Sequence, residues 1–476
     1  MIEEKTGKYY LEKKEKISFY ASGFGQNMII GLVNSFILFF YTDVFLLPLA
    51  AVNVLMIVAR VWDIALTPII GNLIDKTRTP WGKLKPFLLA SSIPLGVITI
   101  LLFWAPNLSV SNRIIYAYIT YLTYGFLYAL SDIPYWGLAS TMTPNPEERT
   151  SFISIARSFH FIGNGLPVAL VPIFGFLAIA LGKDEFLQGY LYAGIFVGVV
   201  GASLFLLSVT GTKERCILDI EKPTLKENID FFLKNKPLQV VFCANIAGFG
   251  QTISIMCGLY IATYIMGNSN LNVFVVAATG VSGYIGMLLT PKLLKKFDYR
   301  QLYQICAIVA IIAFSSMLLF GINFVSQGGI LITMIILGFL FVSGFSSGII
   351  GNINFGMMAD SIDYIEWKTG KRTEGIAMSV QSLMIKLIGS LQVVFFAFML
   401  IVIKFVQPEI IDGIRVQQQQ MDSTLKGMFL ILTLTPMICW ALGALIMSRY
   451  KFVGDMRKQA QADLEALRKE VGRFID

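Results

Sequence analysis

Twelve stretches of roughly 20 or more mainly apolar residues, the length needed to cross a bilayer as a helix, dominate this chain of 476 residues. They fall at 17–41, 47–74, 86–105, 113–142, 150–181, 188–211, 237–266, 272–291, 301–323, 328–359, 374–405 and 425–448. Several exceed 25 residues, so tilt or extension beyond the lipid is expected. The longest break between them, 212–236, is polar and divides the spans six and six. With 55% of residues hydrophobic and only 14% charged, the chain lacks the polar surface of a soluble enzyme, a coiled coil or a disordered protein. One His and five scattered Cys give no CxxC zinc site or disulfide framework. The first 17 residues are charged, so no cleavable leader is expected.

Orientation follows from the basic residues. Thirty of the 38 Lys and Arg lie in the termini, the central loop and the connections on one side; five lie on the other. The remaining three, Arg60, Arg157 and Lys386, are inside spans. This bias predicts a plasma-membrane protein with both termini in the cytoplasm, and it explains the net charge of +8 without nucleic acid. The expected fold is all-α: a six-helix bundle over 1–211, a loop over 212–236, a second six-helix bundle over 237–448 and a tail over 449–476. The halves echo each other, Glu148-Arg149-Thr150 opening span five and Lys371-Arg372-Thr373 opening span eleven. Six plus six spans with corresponding motifs at equivalent connections point to a two-bundle transporter of the major facilitator type. The run Gln417–Gln420 reads as a solvated spacer. Leu464, Leu467, Val471 and Phe474 predict an amphipathic tail helix on the bundle or the membrane surface.

Charges inside spans carry the functional information, because each costs about 2.5–3.5 kcal/mol to insert. Asp63 in span two is either a protonatable or cation-binding carboxylate or half of an i, i+3 ion pair with Arg60 that only holds the bundle together. In span four, Tyr121, Tyr124, Tyr128, Asp132 and Trp136 share one helix face. Phenols, a carboxylate and an indole suit a sugar, whose hydroxyls pair with the carboxylate while its C–H face lies on the ring. Without Asp132 the same stripe would read as an aromatic packing seam. Arg157 and Lys386 come from opposite halves and are expected to serve the same mid-membrane site; the bland alternative is neutralisation of the buried acids. His160, one turn from Arg157, reads as a packing residue. Asn352 and Asn354 in span ten are candidate hydroxyl partners or, equally, interhelical hydrogen-bond formers. Mixed-sign clusters at the inner ends, with Asp75 and Arg78 in one and Asp360, Asp363 and Arg372 in another, predict ion pairs that open and close a cytoplasmic gate.

FFYTDV (39–44), ARVWD (59–63), RTPWGKLKPF (78–87), SDIPYW (131–136) and DYIEWKTGKRTEG (363–375), in this order, resemble the glycoside–pentoside–hexuronide:cation symporter family from about residue 15 to 450. The resemblance implies a major facilitator fold in which sugar and cation cross together by alternating access. Matched motif by motif, it implies sugar contacts at Asp132, Trp136, Arg157 and Lys386, with Tyr128 beside them, and a cation-site carboxylate at Asp63. It implies no enzyme and no cofactor. A small sugar, the bilayer and a monomeric state complete the expectation. The departures are at the cation site: Leu66, Thr67 and Ala129 stand where sodium-using members place an Asn, an Asp and a Thr. In span one, Gln26 and Asn27 replace a Lys-Asp pair and are expected to meet the substrate there. An alkali cation needs several oxygen ligands, whereas a proton needs one carboxylate. The coupling ion expected here is therefore H+ at Asp63, with Thr67 the one remaining hydroxyl; Na+ at a degenerate site, or uncoupled movement of a sugar or organic anion, is the alternative. Loss of the span-one acid tilts the substrate toward one bearing an anion.

Overall fold

The computed structural model describes residues 10–143, 146–215, 231–369, 374–411 and 414–470. In hydrocarbon a backbone N–H or C=O left unpaired costs several kcal/mol, so apolar runs of this length fold as helices. They are α1 (Lys13–Phe39, continued by a π turn Phe40–Val44), α2 (Leu49–Lys76), α3 (Lys85–Leu102), α4 (Val110–Thr141), α5 (Pro146–Ala180) and α6 (Glu185–Phe205). After the central connection come α7 (Lys236–Ala247), α8 (Ile253–Tyr264), α9 (Asn272–Leu293), α10 (Tyr299–Gly321), α11 (Ile330–Thr369), α12 (Glu374–Val402) and α13 (Asp422–Met447). Among the described residues eleven helices are long and apolar enough to span, and α7 with α8, bent by 50°, supplies the twelfth. The expected span seven is thus broken. At about 1.5 Å per residue the 40-residue α11 is ~60 Å long, twice the hydrocarbon thickness, and carries its last turns beyond the lipid.

The chain divides into two compact units, one running to residue 220 and including 406–419, the other comprising 221–405 and 420–476. Lipid gives helices no hydrophobic reason to associate, so contact relies on small residues that let backbones approach. In the first unit a Cβ on Gly163 of α5 would lie 2.5 Å from the Phe24 carbonyl of α1, and one on Gly96 of α3 would lie 2.6 Å from the Gly198 carbonyl of α6. In the second, a Cβ on Gly286 of α9 would lie 2.3 Å from the Phe345 carbonyl of α11.

The segment 406–419 carries a short antiparallel hairpin, β1 (Glu409–Ile411) with β2 (Ile414–Val416), in an otherwise helical chain. The Gln407 amide donates to the carbonyls of Thr42 and Leu47, both at 2.7 Å, and so covers the end of the first span. Gln420 is buried, so the glutamine run is not simply a solvated spacer.

At the loop ends, buried carboxylates organise each unit in ways the sequence did not announce. Glu148 accepts from the backbone N–H groups of Tyr10 and Leu11, from the Thr143 hydroxyl and from Lys16. Glu15 holds Arg215 through both oxygens at 2.8 and 2.9 Å. Glu214 accepts from the N–H groups of Lys83, Leu84 and Lys85 and thereby caps α3, where the helix dipole favours a negative charge. In the second unit Asp360 pairs with Arg457 at 2.8 Å, on the tail helix α14 (Gly454–Glu470), and Trp367 Nε1 donates to Asp463 of the same helix. Ala460 and Leu464 are buried, so this tail lies on the bundle; the side chains of Leu467, Val471 and Phe474 lie outside the described residues.

These contacts correct the expected gate. Asp360 meets a tail arginine, because α11 extends far enough to reach α14. Arg78 is exposed and donates to the neighbouring Thr77 carbonyl. Asp363 is half-buried, whereas Arg372 and the Asp75 side chain lie outside the described residues.

Burial alone would push the Glu148 carboxyl up, but the donors from Tyr10, Thr143, Lys16 and Leu11 outweigh it and hold the group below the usual carboxylate range. A depressed folded value adds stability that is full above the unfolded value of ~4.3 and vanishes as pH falls through the folded one. The thermal-unfolding gap between wild type and Glu148→Gln in detergent is therefore expected to be constant above about pH 6 and to close below about pH 4. A gap that widened on acidification would contradict this role.

Candidate functional site

The first unit assembles most of its candidate residues around α4. Spacings of three and four residues stack Tyr121 on Tyr124 and Tyr124 on Tyr128, with ring centroids 6.2 and 6.0 Å apart. The Tyr128 hydroxyl donates a long bond, 3.4 Å, to Oδ1 of Asp132, which is half-buried. One turn on, the half-buried Trp136 has the Arg157 guanidinium 5.9 Å from its ring centroid, a cation–π distance. Carboxylate, phenol, indole and guanidinium are thus brought to adjacent turns of α4 and α5, with Arg157 exposed on its unit. Such a group can accept from sugar hydroxyls at Asp132, donate to them from Arg157 and Tyr128, and stack a C–H face on Trp136.

The neighbours of this group are structural. Tyr135, whose ring lies 5.6 Å from that of Trp136, donates to the Phe19 carbonyl at 2.9 Å and meets His160 Nε2 at 3.0 Å. His160 also packs on Trp136, so it is a satisfied packing residue. Gln26 corrects the expectation of a ligand contact: it is 1% exposed, and its amide donates to Ser131 Oγ at 2.9 Å, tying α1 to α4 from behind. Asn27 is half-buried and donates back to the Gly23 carbonyl of its own helix.

Asp63 lies on α2, paired with Arg60 Nη1 at 3.4 Å. Its Oδ1 stands 2.9 Å from where a Cβ on Gly125 would be, so the carboxylate rests on the backbone of α4 between Tyr124 and Tyr128. Trp62 Nε1 donates to the Leu122 carbonyl at 3.1 Å and fixes α2 against α4 at this level. The expected hydroxyl, Thr67, donates to the backbone carbonyl of Asp63 at 3.0 Å. Threonine on a helix readily back-bonds one turn up, and that local partner wins. Among the described residues no group of three or more His, Cys, Asp or Glu is placed to hold a metal ion.

In the second unit Lys386 is half-buried on α12, its backbone carbonyl accepting from Ser390 Oγ. Asn354, expected at the ligand, is engaged in a reciprocal amide pair with Asn245 of α7, at 2.8 and 3.2 Å. Asn352 donates to the Met287 carbonyl of α9. Both asparagines bind helix to helix.

The break between α7 and α8 was missed by sequence reasoning. Gly248 ends α7 and a single 3-10 turn, Phe249–Thr252, follows. A Cβ on Gly250 would come within 2.6 Å of the Thr435 side chain on α13. Gln392 of α12 donates to the freed Phe249 carbonyl at 2.6 Å and to Thr252 Oγ1 at 2.8 Å, and Gln251 donates to the Tyr303 hydroxyl at 3.1 Å. The signal was the sequence GFGQT at 248–252, a glycine-interrupted polar stretch inside an apolar span. Such discontinuities mark sites in transporters.

Comparison with known proteins follows this geometry. The family described as MFS/sugar transport protein matches residues 18–453. The isoprimeverose transporter of Lactiplantibacillus pentosus is 30% identical over 375 residues, covering 77% of this chain and 76% of that one. An uncharacterised symporter of Bacillus subtilis, YjmB, is 30% identical over 462 residues, 95% of each chain. Among solved structures, the nucleoside transporter NupG superposes with a TM-score of 0.62 at 14% identity, covering 92% of this chain and 100% of that one, a likeness of fold.

Removing a donor from a buried carbonyl costs about 1–3 kcal/mol. Gln392→Ala is therefore expected to lower the midpoint of thermal unfolding in detergent, while Gln392→Asn, one methylene too short, recovers part of the loss. Unchanged midpoints in both would show that the break needs no side-chain donor.

Proposed function

The chain belongs to the family of MFS sugar transport proteins, and from that premise we propose that it carries a glycoside by alternating access, coupled to H+ through Asp63. It is a multi-pass membrane transporter and not an enzyme. The observation that carries the sugar reading is the meeting of Asp132, Tyr128, Trp136 and Arg157 on α4 and α5. A half-buried carboxylate near a guanidinium binds polyols well, because each charge-assisted hydrogen bond is about twice as strong as a neutral one. The cation Arg157 also suits a glycoside that carries an acidic group. The excess of Lys and Arg in the connections on one side supports a sidedness with both termini in the cytoplasm.

Proton coupling rests on the composition of the Asp63 site. It offers one carboxylate beside one guanidinium, and Thr67 is turned to the backbone. One charge crossing 100 mV yields ~2.3 kcal/mol, sufficient for roughly 40–50-fold accumulation at 1.36 kcal/mol per decade. A second reading is favoured by the same contact. If the Arg60–Asp63 pair never opens, the carrier is an uncoupled facilitator.

Purified protein is expected to be stabilised in a thermal-shift screen by at least one of isoprimeverose, melibiose or a methyl glucuronide. Asp132→Asn should weaken that hit at least ~10-fold, about 1.4 kcal/mol; full retention of the shift by the mutant would remove Asp132 from the site. In proteoliposomes, the stabilising sugar should accumulate under an imposed inward pH gradient and Asp63→Asn should abolish accumulation. Equal uptake with and without pH or Na+ gradients would establish the facilitator instead.

A further inference from the structure

Tyr124 carries one of the buried, unpartnered polar atoms of the first unit, beside those of Tyr41, Gln26 and Arg60. It is 6% exposed, and its hydroxyl is buried with no hydrogen-bond partner among the described residues. A buried phenol ordinarily finds one. Its ring is held on both sides, by Tyr121 and by Tyr128. Asp63 touches α4 at Gly125, between the second and third rings, and the third ring already donates to Asp132. The ladder therefore begins at one intramembrane carboxylate and ends at the other.

We propose that Tyr124 is a positioning residue that transmits the charge state of Asp63 to Asp132, its phenol supplying a switchable hydrogen bond and the stacked Tyr128 carrying the displacement to the substrate carboxylate. While Asp63 is ionised it is held by Arg60 and the Tyr124 O–H is unengaged; protonation of Asp63 weakens that ion pair and frees a carboxyl oxygen to accept from Tyr124. Because the rings are stacked, movement of the middle ring shifts the Tyr128 hydroxyl, whose bond to Asp132 is long enough at 3.4 Å to shorten or break. No proton leaves the phenol. Linkage then requires that proton occupancy at Asp63 and ligand affinity at Asp132 change each other by the same factor. This inference rests on Asp63 being the protonated group of the proposed function.

Charged and aromatic groups face both ends. Arg60 on α2 and the three tyrosines on α4 surround Asp63, and Arg157 and His160 on α5 face Trp136. Trp62, the residue before Asp63, and Trp136, one turn after Asp132, provide a reporter at each end. The test is 19F NMR of the full-length protein in detergent, labelled with fluorotryptophan. The Trp62 and Trp136 resonances are assigned with Trp→Phe variants and followed against pH without ligand. In wild type both resonances are expected to shift with one common midpoint, and Asp63→Asn should remove that midpoint from both, leaving at Trp136 only the response to His160. In Tyr124→Phe, Trp62 should keep the midpoint and Trp136 should lose it. Tyr128→Phe, which preserves the stack and deletes only the last donor, should give the same split. The proposal is overturned if Trp136 still follows Asp63 in both variants, or if in wild type Trp62 titrates and Trp136 does not. Absence of any Asp63-dependent midpoint at Trp62 would instead overturn proton coupling itself, and this inference with it.

Discussion

Hydrocarbon offers no hydrogen bonds, so every backbone group in these spans must be satisfied by the protein, and the remainder of the architecture follows from how that is done. Unbroken helices satisfy it within themselves, and glycine crossings then let them pack closely enough for dispersion forces to act. Where the helix stops, at the turn between α7 and α8, a glutamine from another helix replaces the missing donor. The end of the first span solves the same problem differently. There a π turn leaves carbonyls that Gln407, far away in sequence, covers with its amide. Irregular backbone survives only where a polar side chain has been brought to it.

Charged side chains obey a harsher form of the same rule. A lone carboxylate in the membrane is costly, and each one described in detail is answered: Asp63 by Arg60, Asp132 by the Tyr128 hydroxyl, Asp360 by Arg457, Glu15 by Arg215. The partnerships differ in tightness. The pairs at the loop ends are 2.8 Å, whereas the two contacts within the spans are 3.4 Å. Short pairs hold elements in place, as the tail helix is held on α11.

The sequence revealed the stripe on α4 because helix period is a local property. Tyr121, Tyr124, Tyr128, Asp132 and Trp136 had to share a face once α4 was a helix. The Arg60–Asp63 pair was legible for the same reason, being three residues apart. An amide in a span serves a ligand and a neighbouring helix equally well, and only the facing residues, Asn245 for Asn354 and Ser131 for Gln26, reveal the helix contacts. The bond from Thr67 to the backbone was not legible because no motif displays that acceptor.

Length and apolarity of the runs fixed the spans, their number and the lipid environment, since these depend only on what a segment of chain can do in hydrocarbon. Basic residues fixed the expected sidedness for the same local reason. The partners of Asp360, Glu148 and Glu15 were decided by tertiary structure alone: Arg457 is 97 residues from Asp360 in sequence, and Arg215 is 200 from Glu15. Salt bridges across such separations carry no periodicity, and one carboxylate among several basic neighbours selects its partner by which helix end folds beside it. The break in the seventh span likewise depended on Gln392 arriving from α12 to satisfy it.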